Sequence, residues 1–171
     1  ALDKRVWLKS GGYLVIEPTE ALTVIDVNTG KFDGRNADRE KTFLKTNLEA
    51  CAEIARQLIL RNISGIIIID FINLGEKDNR NIIQDTMKKY LAADPVKAVF
   101  VEFTGLDLME ITRKKKRRES AANLLQPCPY CQGTGVIQSN DYVVMRIRVG
   151  LLDLFANGYD NAIIDLNVDI C

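Results

Sequence analysis

Four consecutive isoleucines, Ile66–Ile69, lie between Gly65 and Asp70-Phe71-Ile72, and they constrain the fold more than any other segment. An unbroken β-branched run reads as a central strand buried on both faces, since a strand with one wet face alternates apolar and polar residues. Upstream, Leu44, Leu48, Cys51, Ala55 and Leu58 recur at spacings of four and three, which predicts a helix over about residues 39–62 with one apolar stripe. Downstream, Ile83, Met87, Tyr90 and Leu91 mark a second helix over about residues 77–92, stopped by Asp94-Pro95. Tyr13–Ile16 and Ala21–Val27 read as a hairpin of strands, and Ala98–Phe103 and Leu106–Thr112 as two more. Residues 28–38, rich in Gly, Asn and Asp, read as a loop. The alternation of strands and helices predicts an α/β fold whose sheet is at least partly parallel.

Composition narrows the chemistry. The 171 residues are 47% hydrophobic and 27% charged, as in a soluble globular protein. There is no histidine, so imidazole bases, His-ligated zinc and Ser/His or Cys/His pairs within the chain are excluded. The four cysteines are Cys51, Cys128, Cys131 and Cys171, and their sparse use without a leader pattern indicates a reducing, cytoplasmic setting without disulfides. No apolar stretch approaches the roughly 20 residues of a membrane crossing, so no transmembrane segment is expected. The chain starts at Ala1 and stops just after a strand-like run at residues 162–168, which reads as a piece of something longer.

Two aspartates, Asp26 and Asp70, sit at or near the ends of apolar strands, where a lone carboxylate is costly unless it is paired or holds a cation. Ligand sites in open α/β sheets gather at C-terminal strand ends, so adjacent strands would bring both acids to one Mg²⁺, with Asn28 as a further oxygen ligand or an orienting group. The competing reading, equally compatible with spacing, has them simply capping strand ends. Asn28-Thr29-Gly30-Lys31 fails as a phosphate loop because Ile25 and Phe32 stand where Gly and Ser/Thr are needed. A calcium loop from Asp26 fails because Ala37 replaces the bidentate Glu. Gly30 reads instead as a turn that carries Lys31 to the metal site.

Cys128-Pro129-Tyr130-Cys131, followed by Gly133-Thr134-Gly135, reads as half of an all-cysteine Zn²⁺ knuckle, or as a redox pair lacking the usual flanking strand and helix. Cys51 belongs to its helix stripe, and the ligand count closes most simply if a second protomer supplies its own Cys128 and Cys131. The 23 Lys and Arg balance 23 Asp and Glu, yet Arg113–Arg118 are six consecutive cations. That run is either a phosphate-attracting patch or a solvated linker. Lys97, Arg113 and Lys114 are the candidate contacts to a phosphate chain.

Several segments together resemble the ribonuclease E/G family of bacterial endoribonucleases: Ser10–Ile16, Thr19–Asn28, Thr46–Ala50, Ile54–Leu58, Gly65–Ile72, Leu108–Arg113 and Cys128–Gly135. The resemblance implies a DNase-I-like α/β mixed sheet with flanking helices over residues 1–118, a zinc-link over 119–139, and the start of a small α/β dimerisation domain over 140–171. It further implies Mg²⁺ on Asp26 and Asp70 with support from Asn28, and cleavage of single-stranded RNA to 5′-monophosphate and 3′-hydroxyl ends. Zn²⁺ shared through Cys128 and Cys131 would join a homodimer or higher homo-oligomer. The family's oligonucleotide-binding barrel, RNase-H-like subdomain and 5′-end pocket have no counterpart here, and Asn73 replaces the last acid of the familiar Asp-Phe-Ile-Asp. The alternative from another class is a zinc-stapled RNA-binding scaffold without activity.

Overall fold

Alternation within the strands sets one wall of the core. In the computed structural model, which describes residues 2–30, 36–72, 77–117 and 119–165, Leu14 and Ile16, Ile25 and Val27, Ile67 and Ile69, and Met109 and Ile111 are all buried. Their strands are β2 (Tyr13–Pro18), β3 (Leu22–Asn28), β4 (Gly65–Asp70) and β6 (Leu108–Arg113). Against this wall pack Ala50, Cys51, Ile54 and Leu58 of α1 (Asn36–Leu60) and Ile83, Met87 and Leu91 of α2 (Lys77–Ala92). Cys51 is fully buried, and burial pushes its thiol up to about 12, which suits a small core residue.

Two edge strands, β1 (Arg5–Trp7) and β5 (Ala98–Phe103), complete a six-stranded sheet in the order β1-β2-β3-β4-β6-β5. The β3–β4 pair is parallel and the other pairs are antiparallel, so the sheet is mixed as expected. The strand expected to be buried on both faces is covered on one only: in β4, Ile66 is 49% exposed and Ile68 half-buried. Helix α1 begins at Asn36, inside the expected loop, and residues 31–35, including Lys31, lie outside the described residues. A short α3 (Ser120–Leu124) is tied to the end of α1 by Ser120, whose N–H donates to Arg61 O at 2.9 Å and whose hydroxyl donates to Leu60 O at 3.2 Å.

The chain divides into two compact units, Ala1–Leu125 and Gln126–Cys171. The second holds the Cys128–Gly135 turn and α4 (Asn140–Ala156), whose N-terminus is capped by Ser139 Oγ accepting from Tyr142 N at 3.2 Å. No residue of α4 is buried. Residues 162–165 carry no strand, and the rest of that expected strand, with Cys171, lies outside the described residues. Among the described residues no helix is long and apolar enough to cross a membrane.

Candidate metal centre on the open face of the sheet

With Ile25 and Val27 turned inward, the intervening Asp26 and Asn28 must face the uncovered side, and the same alternation turns Asp70 outward next to inward Ile69. Asp26 and Asp70 are register partners across the parallel pair. Neighbouring strands lie about 4.8 Å apart, so two carboxylates stand side by side at the C-terminal ends of both strands. Asn28 Nδ2 donates to Asp26 Oδ2 at 2.7 Å. Burial raises the Asp70 carboxyl above the usual range, and the neighbouring Asp26 charge adds to the rise. Crowded like charges of this kind fit a divalent cation, and two carboxylates plus water and substrate oxygens are what Mg²⁺ commonly takes. Among the described residues no third His, Cys, Asp or Glu joins them. Asn73 lies outside the described residues.

The loops bearing these residues are held by one stretch of α1 that the sequence reading passed over. Asn47, fully buried, donates from Nδ2 to Ile72 O at 2.8 Å and accepts from Ile72 N at 3.1 Å, fixing the segment just after Asp70. Glu49 accepts from Lys9 N at 2.5 Å and Ser10 N at 3.1 Å. Burial alone would raise the Glu49 carboxyl, but the bonds from Ser10 and Lys9 outweigh it and hold it low. The Ser10-Gly11-Gly12 turn so held touches the strand end that carries Asn28. A Cβ on Gly12 would stand 2.6 Å from Asn28 O, and one on Gly30, at φ +69°, 2.4 Å from Gly11 O. Both positions therefore need glycine. A signal for Asn47 was present: it sits three residues after Leu44 and four before Cys51, on the apolar stripe, where a polar side chain must have a buried partner.

The basic candidates separate. Lys97 and Lys114 are exposed and joined through Lys114 N donating to Lys97 O at 2.9 Å. They border a shallow groove of about 330 Å³ with Gly65, Ile66, Val99 and Thr112. Gly65 is five strand steps from Asp70, about 17 Å away, so this groove lies at the other end of β4. Arg113 is corrected as an RNA contact, because its side chain is only 2% exposed. Its guanidinium holds Asp94 at 2.7 and 3.1 Å, Ile63 O at 2.9 Å and Asn62 Oδ1 at 3.3 Å, which commits four of its five N–H donors to the fold although Arg113 also borders the groove. The reason is register: Arg113 shares the inward face of β6 with Met109 and Ile111. Of the remaining cations, Lys114–Arg117 are exposed and Arg118 lies outside the described residues.

In the second unit, Cys128 is exposed and Cys131 half-buried. The backbone amides of Gly135 and Gly133 hold the Cys131 thiol below its ordinary range, with smaller help from Cys128. Gln132, Gly133 and Gly135 have φ values of 51°, 88° and 74°, and Thr134 N donates to Cys131 O at 2.9 Å. This amide-lined turn suits a thiolate, and thiolates are a donor type that zinc takes.

An open mixed α/β sheet with paired acids near the ends of its one parallel strand pair defines an α/β protein with an acidic site on its uncovered face. The sequence model of the ribonuclease E/G family matches residues 1–116. The chain belongs to the ribonuclease E/G family. It is 44% identical to Ribonuclease G of Haemophilus influenzae over 160 residues, covering 92% of this chain and 32% of that protein. It is 45% identical to Ribonuclease G of Escherichia coli over 86% of this chain and 30% of that protein. With Ribonuclease E of a Synechocystis strain the identity is 47% over 79% of this chain and 20% of the relative. The chain thus spans about a third or less of the curated relatives it matches.

Proposed function

We propose that this chain forms the metal-binding part of an endoribonuclease that cuts single-stranded RNA and leaves 5′-monophosphate and 3′-hydroxyl ends. The observation that carries the reading is the register of Asp26 with Asp70 on the open face. The names of the relatives, Ribonuclease G and Ribonuclease E, agree with it. Asp26 and Asp70 would hold Mg²⁺, which when bound lowers the pKa of water and offsets charge at a phosphate. Asn28 fixes the rotation of the Asp26 carboxylate through its hydrogen bond to Oδ2. Asn47 and Glu49 keep the two loops at a constant separation, so the acids are in place before substrate arrives. Lys97 and Lys114 attract the RNA backbone farther along the same sheet.

Incubating single-stranded RNA with Mg²⁺ and the protein, and then analysing the termini, tests this. Internal cuts with 5′-monophosphate and 3′-hydroxyl ends are expected; RNA that binds but stays intact would favour the scaffold alternative.

Cys128 and Cys131 would hold Zn²⁺ with a second copy completing the set, and that sharing would make the protein a homo-oligomer. Exposed Val144, Met145, Val149, Leu152 and Phe155 on α4 add an apolar surface that a second copy would cover. Metal analysis is expected to give one zinc per two chains, with zinc and dimer lost together in Cys128→Ser. One zinc per monomeric chain would overturn the shared site.

A further inference from the structure

Edge strand β1 carries the only tryptophan of the sequence, Trp7, and leaves it 64% exposed. The strand does not need it for packing, since Val6 is the residue that joins the core. Trp7 instead meets Tyr13 edge to face, with ring centroids 5.3 Å apart. Arg5 lays its guanidinium 4.4 Å from the centre of the Tyr13 ring and 5.8 Å from that of Trp7. No carboxylate among the described residues forms an ion pair with Arg5. Register carries this cluster to the candidate centre. Trp7 pairs with Tyr13 and Tyr13 with Asn28, while Arg5 pairs with Val15, Val15 with Asp26, and Asp26 with Asp70. By alternation against buried Leu14, Ile16, Ile25 and Val27 these residues turn to the uncovered face, Trp7 at the sheet edge also bordering a groove with Glu49 and Arg56 of α1, and two strand spacings, about 10 Å, separate β1 from β3.

We propose that Arg5, Trp7 and Tyr13 form a stacking ledge that holds one base of a single-stranded RNA beside the Asp26–Asp70 pair. The position of the ledge next to a reacting phosphate rests on the nuclease reading; its capacity to bind a base does not. Aromatic rings accept any base face without regard to sequence, and a guanidinium beside them meets the phosphate of the same nucleotide. Arg5 and Lys9, both exposed, flank the rings, and an apolar protein surface would find that border unfavourable. The sugar-phosphate chain would then run across β2 and β3 toward the acids.

Because Trp7 is the sole tryptophan, its emission reports the ledge directly. The full chain is titrated with a short single-stranded oligoadenylate in EDTA, following tryptophan emission and, in parallel, the anisotropy of the same oligonucleotide carrying a dye. Emission is expected to be quenched with the same midpoint as the anisotropy change. Trp7→Ala is expected to weaken binding about 5- to 150-fold, as loss of one stacked base does. Trp7→Phe should restore most of the affinity, and an abasic strand of equal length should bind without quenching. Emission that stays constant while anisotropy saturates, unchanged affinity in Trp7→Ala, or no RNA binding at all would each overturn the ledge. So would a blue shift on concentrating the protein alone, which would assign these rings to a second copy. Quenching without cleavage when Mg²⁺ is restored leaves the ledge standing and counts against the nuclease reading. Cleavage with a silent Trp7 does the reverse.

Discussion

Asp26→Asn and Asp70→Asn are each expected to lower RNA cleavage by at least about 100-fold, the usual scale for losing a group that acts at the reacting centre. Neither should lower the melting temperature measured without divalent cations. Both side chains are exposed, and Asp70 is already pushed toward its protonated form by burial and by Asp26. Removing one charge relieves that crowding, so a loss of activity cannot be ascribed to unfolding. Parallel melting curves and initial cleavage rates check this. Undiminished cleavage in the double variant would remove the acids from the chemistry altogether. Asn28→Ala should have a smaller effect than either, because it frees the rotation of Asp26 without removing a carboxylate.

Arg113→Ala is expected to destabilise the first unit by about 3–5 kcal/mol, because it strands the Asp94 carboxylate in a site where only 3% of that side chain is exposed. At this chain size that corresponds to a fall in melting temperature on the order of 10 °C. Arg113→Lys should recover part of it, since an ammonium cannot serve Asp94, Ile63 O and Asn62 from one planar fork. Burial by itself would raise the Asp94 carboxyl. The hydrogen bonds from Arg113 and Val96 and the charge of Arg113 outweigh burial and hold it low. A lowered carboxyl stabilises the fold fully above the ordinary aspartate range, and the contribution disappears as pH falls through the lowered value. Stability against acid is therefore expected to be less pH-dependent in Asp94→Asn than in the parent as pH falls from the ordinary aspartate range through the lowered value. Equal acid profiles would show that the pair does not act in this way. Loss of the pair should also weaken RNA binding indirectly, as Lys114 directly follows Arg113 and Lys97 lies three residues after Asp94.

Much of this was legible in the residues. The isoleucine run located β4, the stripe through Leu44 and Leu58 located α1, and the solitary aspartates marked the ends of β3 and β4. The open face was not legible. Ile66 and Ile68 carry the same side chain as Ile67 and Ile69, and hydrophobicity alone cannot report which of two faces has a helix on it. Strand β1 has three residues, too few for an alternation to register. Arg113 was hidden by its neighbours, because a run of cations reads as surface. Counting by twos from Met109 through Ile111 would have turned it inward. Glu49 left no signal, since its partners are backbone amides forty and thirty-nine residues away.

Asn47 and Glu49 lie two residues apart on α1, yet they clamp segments that precede Asp26 and follow Asp70. A local opening of α1 that releases one loop disturbs the turn that holds the other. Hydrogen exchange is expected to show Lys9, Ser10 and Ile72 opening together if this part of α1 lifts from the sheet, and separately if the exposed Glu49 bonds break alone. In the first case fluctuations of the carboxylate spacing are coupled to the stability of a core helix, and the centre is as rigid as the fold that surrounds it.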